Sequence, residues 1–252
     1  MVRSPLTGPI GPMLASMTVI IVVMSVLACA APAGRPAAER TVDRNVSAAP
    51  APRAERYVAI GASDTVGVGA SDPVTGSWPA RIAARLPAGS SYTNLGVSGS
   101  LAAQAHAEQA PAAVAARPTL ITIWLAVNDL NHGITPTAYR DALRGLLDTL
   151  VRRTEARIFV ANVPDLTAVP RYEGTDRAAL AEQIAAYDRW IAETVGRYPG
   201  RVVPVDLFAG SAALMGSVTV SADGFHPSDE GYRLIAERFV AALRANGVAL
   251  RD

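Results

Sequence analysis

The sequence contains no lysine, only three histidines and a single cysteine. With one cysteine, Cys29, the chain cannot form an intramolecular disulfide, so its folded part must be held together by its core. Lysine and arginine total 23, aspartate and glutamate total 22, and the formal net charge is +1. Because the charges balance and no long basic run occurs, we expect no nucleic-acid partner.

Several motifs are also missing. No cluster of His, Asp and Glu has the spacing of metal ligands, so we expect no metal. No Gly-x-Gly-x-x-Gly opens a helix after the first predicted strand, although Gly67-Val68-Gly69 superficially suggests one, so the sequence does not predict a dinucleotide site. We expect no cofactor. Gly-x-Ser-x-Gly is absent too, because Ser98 is followed by Gly99-Ser100 at the wrong offset, which argues against the α/β-hydrolase family proper.

The first 29 residues have the composition of an export signal. Arg3 precedes an apolar stretch, Met13 to Leu27, that ends in small residues. Val26-Leu27-Ala28-Cys29 resembles a bacterial lipobox, which makes Cys29 a candidate for lipidation and membrane anchorage. Ordinary cleavage after Ala30 and an uncleaved apolar anchor are the alternatives. All three place the domain outside the cytoplasm, either anchored to the membrane or secreted.

Residues 30–55 are rich in Ala, Pro, Arg and Glu without apolar periodicity, which predicts a linker. Residues 56–250 form the predicted domain, in which short apolar runs predict strands at Tyr57–Gly61, Tyr92–Leu95, Leu120–Leu125, Arg157–Asn162 and Val202–Asp206. Helical patterns alternate with them at Trp78–Leu86, Pro136–Arg153, Ala178–Tyr198 and Ser228–Asn246, with Ser228 as a candidate N-cap. This alternation predicts an α/β fold, with a mostly parallel sheet of about five strands flanked by helices.

Ligands of such sheets bind beyond the carboxyl ends of the strands. Four polar or glycine-rich clusters lie there: Gly61-Ala62-Ser63-Asp64-Thr65, Asn94-Leu95-Gly96-Val97-Ser98-Gly99, Ala126-Val127-Asn128-Asp129 and Asp223-Gly224-Phe225-His226-Pro227. Each cluster carries a residue type that acyl transfer needs. The sequence therefore predicts a catalytic site at this edge of the sheet.

Acyl transfer to water requires a nucleophile, a base and an acid that orients the base. Ser63 supplies the hydroxyl at a tight strand-to-helix turn, His226 supplies the base, and Asp223 lies three residues before it. Donors for the developing oxyanion are the backbone N–H groups of Ser63 and Gly96 and the side-chain amide of Asn128. A glycine at position 96 lets the backbone approach a substrate closely.

The four clusters, in this order, resemble the four blocks of the SGNH (GDSL-type) hydrolases. The resemblance covers roughly residues 56–250 and implies a three-layer, flavodoxin-like fold. Ser63, Gly96 and Asn128 match the first three blocks, and Asp223 with His226 matches the final Asp-x-x-His. Ala62 replaces the aspartate in the usual Gly-Asp-Ser of block one, and Ala126 replaces the glycine in the usual Gly-x-Asn-Asp of block three.

The resemblance implies a serine esterase or lipase that acts on a small-molecule, lipid or glycan ester. Two alternatives remain open, namely an acyltransferase or deacetylase of envelope glycans or lipids, and a non-catalytic binding lipoprotein. We assign His106 to packing or the surface. His132 follows Asn128 closely and could line the pocket, but a position outside the pocket is the favoured prediction. The segment from Asn162 to about Thr175 is expected to form a pocket wall, since it follows a strand at the active edge.

Overall fold

The computed structural model describes residues 52–252. The predicted signal peptide, the lipidation candidate Cys29 and most of the predicted linker lie outside the described residues. Between residues 52 and 252, no helix has both the length and the apolar character needed to cross a bilayer.

The centre of the domain is a five-stranded sheet in which every neighbouring pair of strands is parallel. Its strands are β1 (Arg56–Gly61), β2 (Ser91–Asn94), β3 (Leu120–Trp124), β4 (Arg157–Ala161) and β5 (Val202–Val205). Their order is β2-β1-β3-β4-β5. The predicted fold class is confirmed, and each strand lies within about one residue of its predicted bounds. The central strand β3 is apolar and buried throughout between two helical layers, whereas β2, at the edge of the sheet, is mostly exposed.

Helices connect the strands and cover both faces of the sheet. They are α1 (Ser63–Val66), α2 (Pro73–Gly76), α3 (Trp78–Ala83), α4 (Ala102–Gln104), α5 (Ala110–Ala115), α6 (Val127–Asn131), α7 (Pro136–Arg153), α8 (Arg177–Gly196) and α9 (Asp229–Ala245). A π-turn, Ala105–Gln109, joins α4 to α5. Helix α7 has its predicted bounds, and Ser228 caps α9 as predicted, its hydroxyl accepting the N–H of Gly231 at 3.2 Å.

Side chains alternate between two cores along each strand. Val58 and Ile60 of β1 contribute to a core with α5, α7 and α8. Tyr57 and Ala59 contribute to a second core with α3 and α9. In this second core the rings of Trp78 and Phe239 stack with their centroids 4.3 Å apart. The two cores and the sheet between them make the three layers that the fold class implies.

Contacts of the folded domain already include Glu55, which the sequence assigned to the linker. Its side chain is buried, accepts a hydrogen bond from Thr119, and pairs with Arg157 at 2.8 Å. These contacts attach the chain at the amino edge of the sheet. The loops with the predicted chemistry all leave from the opposite, carboxyl edge, because the five strands are parallel.

Candidate active site

Ser63 lies at a sharp turn between β1 and α1. The strand ends at Gly61, Ala62 turns the chain, and Ser63 begins the helix with only 7% of its surface exposed. The helix ends after one turn at Gly67, whose φ of 98° favours glycine. No described residue accepts a hydrogen bond from the Ser63 N–H. Both the hydroxyl and the amide of Ser63 are thus presented at the carboxyl edge of the sheet.

His226 and Asp223 complete a hydrogen-bonded chain that begins at Ser63. The Ser63 Oγ lies 3.0 Å from His226 Nε2, and His226 Nδ1 lies 2.6 Å from Asp223 Oδ2. The structure therefore brings together the three residues that the sequence predicted as a triad. With Nδ1–H donating to the carboxylate, Nε2 is the acceptor for the serine proton.

Asp223 is held as a carboxylate by its surroundings. Partial burial opposes ionisation, but the hydrogen bond from His226 and those from the Phe225 N–H, the Ser221 hydroxyl and the His226 N–H outweigh it. Together they place the pKa of Asp223 well below its usual range. Asp223 is therefore a carboxylate near neutral pH, and it can orient and stabilise a protonated His226.

Asn128 stands at the start of α6, just after β3. Its Nδ2 donates one hydrogen bond to the carbonyl of Ser100 at 3.2 Å. A side-chain amide carries two N–H groups, so the second one is available to a ligand. Ala126, two residues earlier, has a φ of 85°, a conformation that costs a residue with a Cβ about 1–3 kcal/mol. This explains in physical terms why glycine is usual at this position.

Gly96 requires a correction. Its N–H, expected to face the oxyanion, instead donates to Oδ1 of Asn94 at 2.9 Å. The Asn94 amide also donates to the Thr65 carbonyl at 2.7 Å, so its side chain closes the turn after β2 and occupies the Gly96 amide. A Cβ on Gly96 would lie 2.9 Å from Cβ of Thr65, so this glycine is required for packing.

Gly99, in the same loop, is not among the predicted oxyanion donors. Its φ is 80°, and its N–H has no acceptor among residues 52–252. Gly99 directly precedes Ser100, whose carbonyl orients Asn128. The sequence shows only that a second glycine follows Gly96 by three positions. It does not show which of the two N–H groups is free to face an oxyanion.

Asp64, next to Ser63, is half-buried and lines two cavities at the site. Burial raises the pKa of Asp64 from 3.8 to about 6, the positive charge that His226 can carry opposes this, and Asp223 adds to it. The smaller cavity lies beside Ala62, Ser100 and Asn128. Asp64 thus lies between the expected oxyanion site and the larger cavity.

The larger cavity has a volume of about 90 Å³ and a mostly apolar wall. It extends from Asp64 and Phe225 toward α9, and its wall includes Leu166, Val169, Leu214, Met215, Val220 and Ile235. Leu166 and Val169 belong to the segment Asn162–Thr175, which was predicted to form a pocket wall, and this prediction is confirmed. The arrangement places an apolar chamber near a serine hydroxyl that is hydrogen-bonded to a histidine.

The other histidines do not join this site. His132 is exposed, and its Nδ1–H donates to the Asn128 carbonyl at 2.8 Å without lining either cavity. His106 packs over Gly145, where an added Cβ would lie 2.7 Å from the imidazole ring, and its Nε2 is 3.1 Å from Thr149 Oγ1. Among residues 52–252, no three His, Cys, Asp or Glu side chains gather as metal ligands would.

Comparison with known proteins gives a family match and many structures of the same fold. The family model of the GDSL-like lipase/acylhydrolase family matches residues 59–234, a range that contains Ser63, Asn128, Asp223 and His226. A comparison with curated proteins gives no match.

Among similar solved structures is TesA, which is 22% identical with a TM-score of 0.59, covering 76% of this chain and 99% of its own. A lipase from a goat rumen metagenome is 20% identical with a TM-score of 0.60, covering 77% and 98%. An acetyl-xylooligosaccharide esterase from Geobacillus, crystallised as a point variant, is 18% identical with a TM-score of 0.61, covering 78% and 95%. At such low identities the likeness shows the fold.

The strain at Ala126 can be measured against a matched alanine. Ala156 is also buried in a loop but has no positive φ. We predict that Ala156→Gly lowers the free energy of unfolding by about 1–2 kcal/mol, through the lost methyl group and the added chain entropy. Ala126→Gly should leave it unchanged or raise it, because relief of about 1–3 kcal/mol of strain offsets the same losses. Urea denaturation measures both, and equal destabilisation would contradict the strain.

The raised pKa of Asp64 predicts a pH-dependent stability. Because the pKa in the folded state, about 6, exceeds the ordinary 3.8, the folded protein binds more protons in that interval. The contribution of Asp64 to stability therefore falls as the pH rises from about 4 to about 6. Asp64→Asn should gain stability relative to wild type across this window, as measured by urea denaturation at several pH values. The exposed Asp141→Asn is the control, and a flat difference for Asp64→Asn would refute the assignment.

Proposed function

The chain belongs to the GDSL-like lipase/acylhydrolase family, and from this premise we propose that it hydrolyses carboxylic esters through an acyl-enzyme on Ser63. The observation that carries the proposal is the continuous chain from Ser63 Oγ through His226 to Asp223, with distances of 3.0 and 2.6 Å. Such a chain activates a serine hydroxyl, which is a weak nucleophile by itself.

In the first half of the reaction, His226 Nε2 takes the proton of Ser63 as Oγ attacks the carbonyl carbon of the ester. The imidazolium that forms is stabilised by the Asp223 carboxylate and, above a pH of about 6, also by ionised Asp64. The tetrahedral intermediate then collapses, the bond to the alcohol oxygen breaks, and His226 returns its proton to the leaving alcohol.

The oxyanion of this intermediate needs donors that are free before the substrate arrives. The Ser63 N–H and the second N–H of Asn128 Nδ2 meet this condition, whereas the Gly96 N–H does not. Gly99 offers an unoccupied N–H in the loop that also orients Asn128. We therefore assign the oxyanion hole to Ser63, Asn128 and Gly99.

In the second half, a water molecule takes the place of the alcohol. His226 accepts a proton from this water as its oxygen attacks the acyl carbon, the same donors hold the second oxyanion, and the bond to Ser63 Oγ breaks with return of the proton to the serine. The carboxylic acid leaves, and the triad returns to its starting state.

The apolar chamber beside Asp64 supports an uncharged acyl group as its occupant. The chamber, at about 90 Å³, is smaller than the engineered cavity of about 150 Å³ that admits benzene, so it favours short acyl chains over long ones. The carboxylate of Asp64 in its wall, when ionised, disfavours acyl groups that carry a negative charge. We propose short, uncharged acyl esters as the substrate class.

Hydrolysis of p-nitrophenyl acetate, butyrate, octanoate and palmitate tests both the nucleophile and the pocket. We expect kcat/KM to be highest for acyl chains of about two to six carbons. Ser63→Ala should abolish the activity, whereas Ser90→Ala, at the opposite edge of the sheet, should retain it. Activity that persists in Ser63→Ala would remove Ser63 as nucleophile. A maximum at palmitate would replace the short-acyl assignment with a lipid substrate, and product analysis with added glycerol detects acyl transfer.

The role of Asn128 has its own test. We predict that Asn128→Ala lowers kcat about 10²–10³-fold with little change in KM, because the lost donor acts on the oxyanion rather than on the ground state. Asn128→Asp keeps the shape without the donor and should lose as much. Asn246→Ala, at the far end of α9, is the control. Full activity in Asn128→Ala would exclude Asn128 from the oxyanion hole.

A further inference from the structure

Gln109 is a buried polar residue that the reaction described above does not use. It ends the π-turn between α4 and α5 and is only 3% exposed. Its Oε1 accepts the Gly61 N–H at 3.0 Å, and its Nε2 donates to the Gly61 carbonyl at 3.0 Å and to the Ser100 hydroxyl at 3.1 Å. Only this orientation of the amide matches a donor with an acceptor at every contact.

The amide of Gln109 bonds to the end of β1, beyond the last residue of β2. Strand β2 ends at Asn94, opposite Ala59 of β1, so no β2 residue pairs with Gly61. A buried peptide N–H without an acceptor is costly, and Oε1 of Gln109 is the acceptor of the Gly61 N–H. The Gly61 carbonyl, which accepts the Val97 N–H from the loop after β2 at 3.1 Å, takes a second hydrogen bond from Nε2 of Gln109. The π-turn, closed by a hydrogen bond from the Ala110 N–H to the Ala105 carbonyl, places Gln109 at this position. Such turns often occur at functional sites.

The same amide links the two halves of the site. Gly61 precedes the nucleophile by two residues, and its conformation sets the turn that presents Ser63. Ser100, which receives the other hydrogen bond, holds Asn128 through its carbonyl. The hydrogen-bonded connection from Gly61 to Asn128 therefore passes through the side chain of Gln109 and then through Ser100.

We infer that Gln109 is a positioning residue, which fixes the oxyanion donor Asn128 relative to Ser63. The inference rests on the proposed function, since it assigns a role within that reaction. Displacement of a reacting group by about 1 Å can cost roughly 10²-fold in rate. Loss of the Gln109 amide should therefore act on the transition state and leave substrate binding largely unchanged.

The first test compares Gln109→Leu with wild type, using p-nitrophenyl butyrate as substrate and butylboronic acid as a tetrahedral mimic that binds Ser63 Oγ. We expect kcat to fall roughly 10–100-fold, KM to stay nearly constant, and boronate affinity to fall by a similar factor. Gln183→Leu, the same change at an exposed position of α8, should alter none of them. Circular dichroism establishes that each variant is folded.

A double-mutant cycle distinguishes positioning from general support of the fold. In the Asn128→Ala background the donor that Gln109 positions is gone, so Gln109→Leu should cost no more than about twofold in kcat. A cost in that background equal to the cost in wild type would overturn the inference.

Gln109→Glu adds a measurement, the pH dependence of activity, that would not change if Gln109 served only for packing. The protonated acid can donate to the Gly61 carbonyl as Gln109 does, whereas the carboxylate cannot. Activity of this variant relative to wild type should therefore rise as the pH is lowered, and an unchanging ratio would count against the inference. If Gln109→Leu does not fold, the nearly isosteric Gln109→Glu carries the same measurements.

Two failures remain distinguishable. A folded Gln109→Leu with wild-type kcat and boronate affinity overturns the positioning role and leaves the Ser63 mechanism intact. A folded wild-type protein without Ser63-dependent ester hydrolysis overturns the proposed function, together with the inference that rests on it.

Discussion

The crowding around Gly61 is the constraint on which the rest of the site depends. A Cβ at this position would lie 2.7 Å from the Trp124 carbonyl and would collide with the Thr65 side chain, so only glycine fits. The peptide of Gly61 is bonded to the Val97 N–H at 3.1 Å and to the Gln109 amide. The end of β1, the loop after β2 and the π-turn therefore meet at Gly61, and Ser63 begins α1 two residues later.

The chemistry is divided between parts of the chain that are far apart in sequence. Ser63 comes from the first strand, whereas His226 and Asp223 come from a loop just before the last helix. That loop is held by an antiparallel bridge between Val220 and Pro227 and by the bond from the Ser221 N–H to the His226 carbonyl. These backbone bonds within the loop hold His226 in place in the structure without a bound ligand.

Local patterns in the sequence predicted the sheet, the main helices and the triad. Strands such as Leu120–Trp124 are buried on both faces, so an apolar run is sufficient to find them, and His226 falls in a short motif with Asp223. What escaped prediction depends on contacts between distant segments. The Gly96 N–H is occupied by a neighbouring side chain, Asn94, whose direction the sequence does not give. Gln109 lies in an alanine-rich stretch and reaches Gly61 only because a π-turn directs it there.

Because the sheet is parallel, the point at which the chain enters β1 lies far from the active site. The chain enters β1 at Arg56 and reaches the catalytic turn after six residues of strand, which span about 20 Å at roughly 3.3 Å each. The entry point and the catalytic mouth therefore lie on opposite edges of the domain. If the chain were attached to a bead or an electrode just before β1, the attachment would lie at the amino edge of the sheet. The apolar chamber and Ser63, at the carboxyl edge, would stay accessible to dissolved esters.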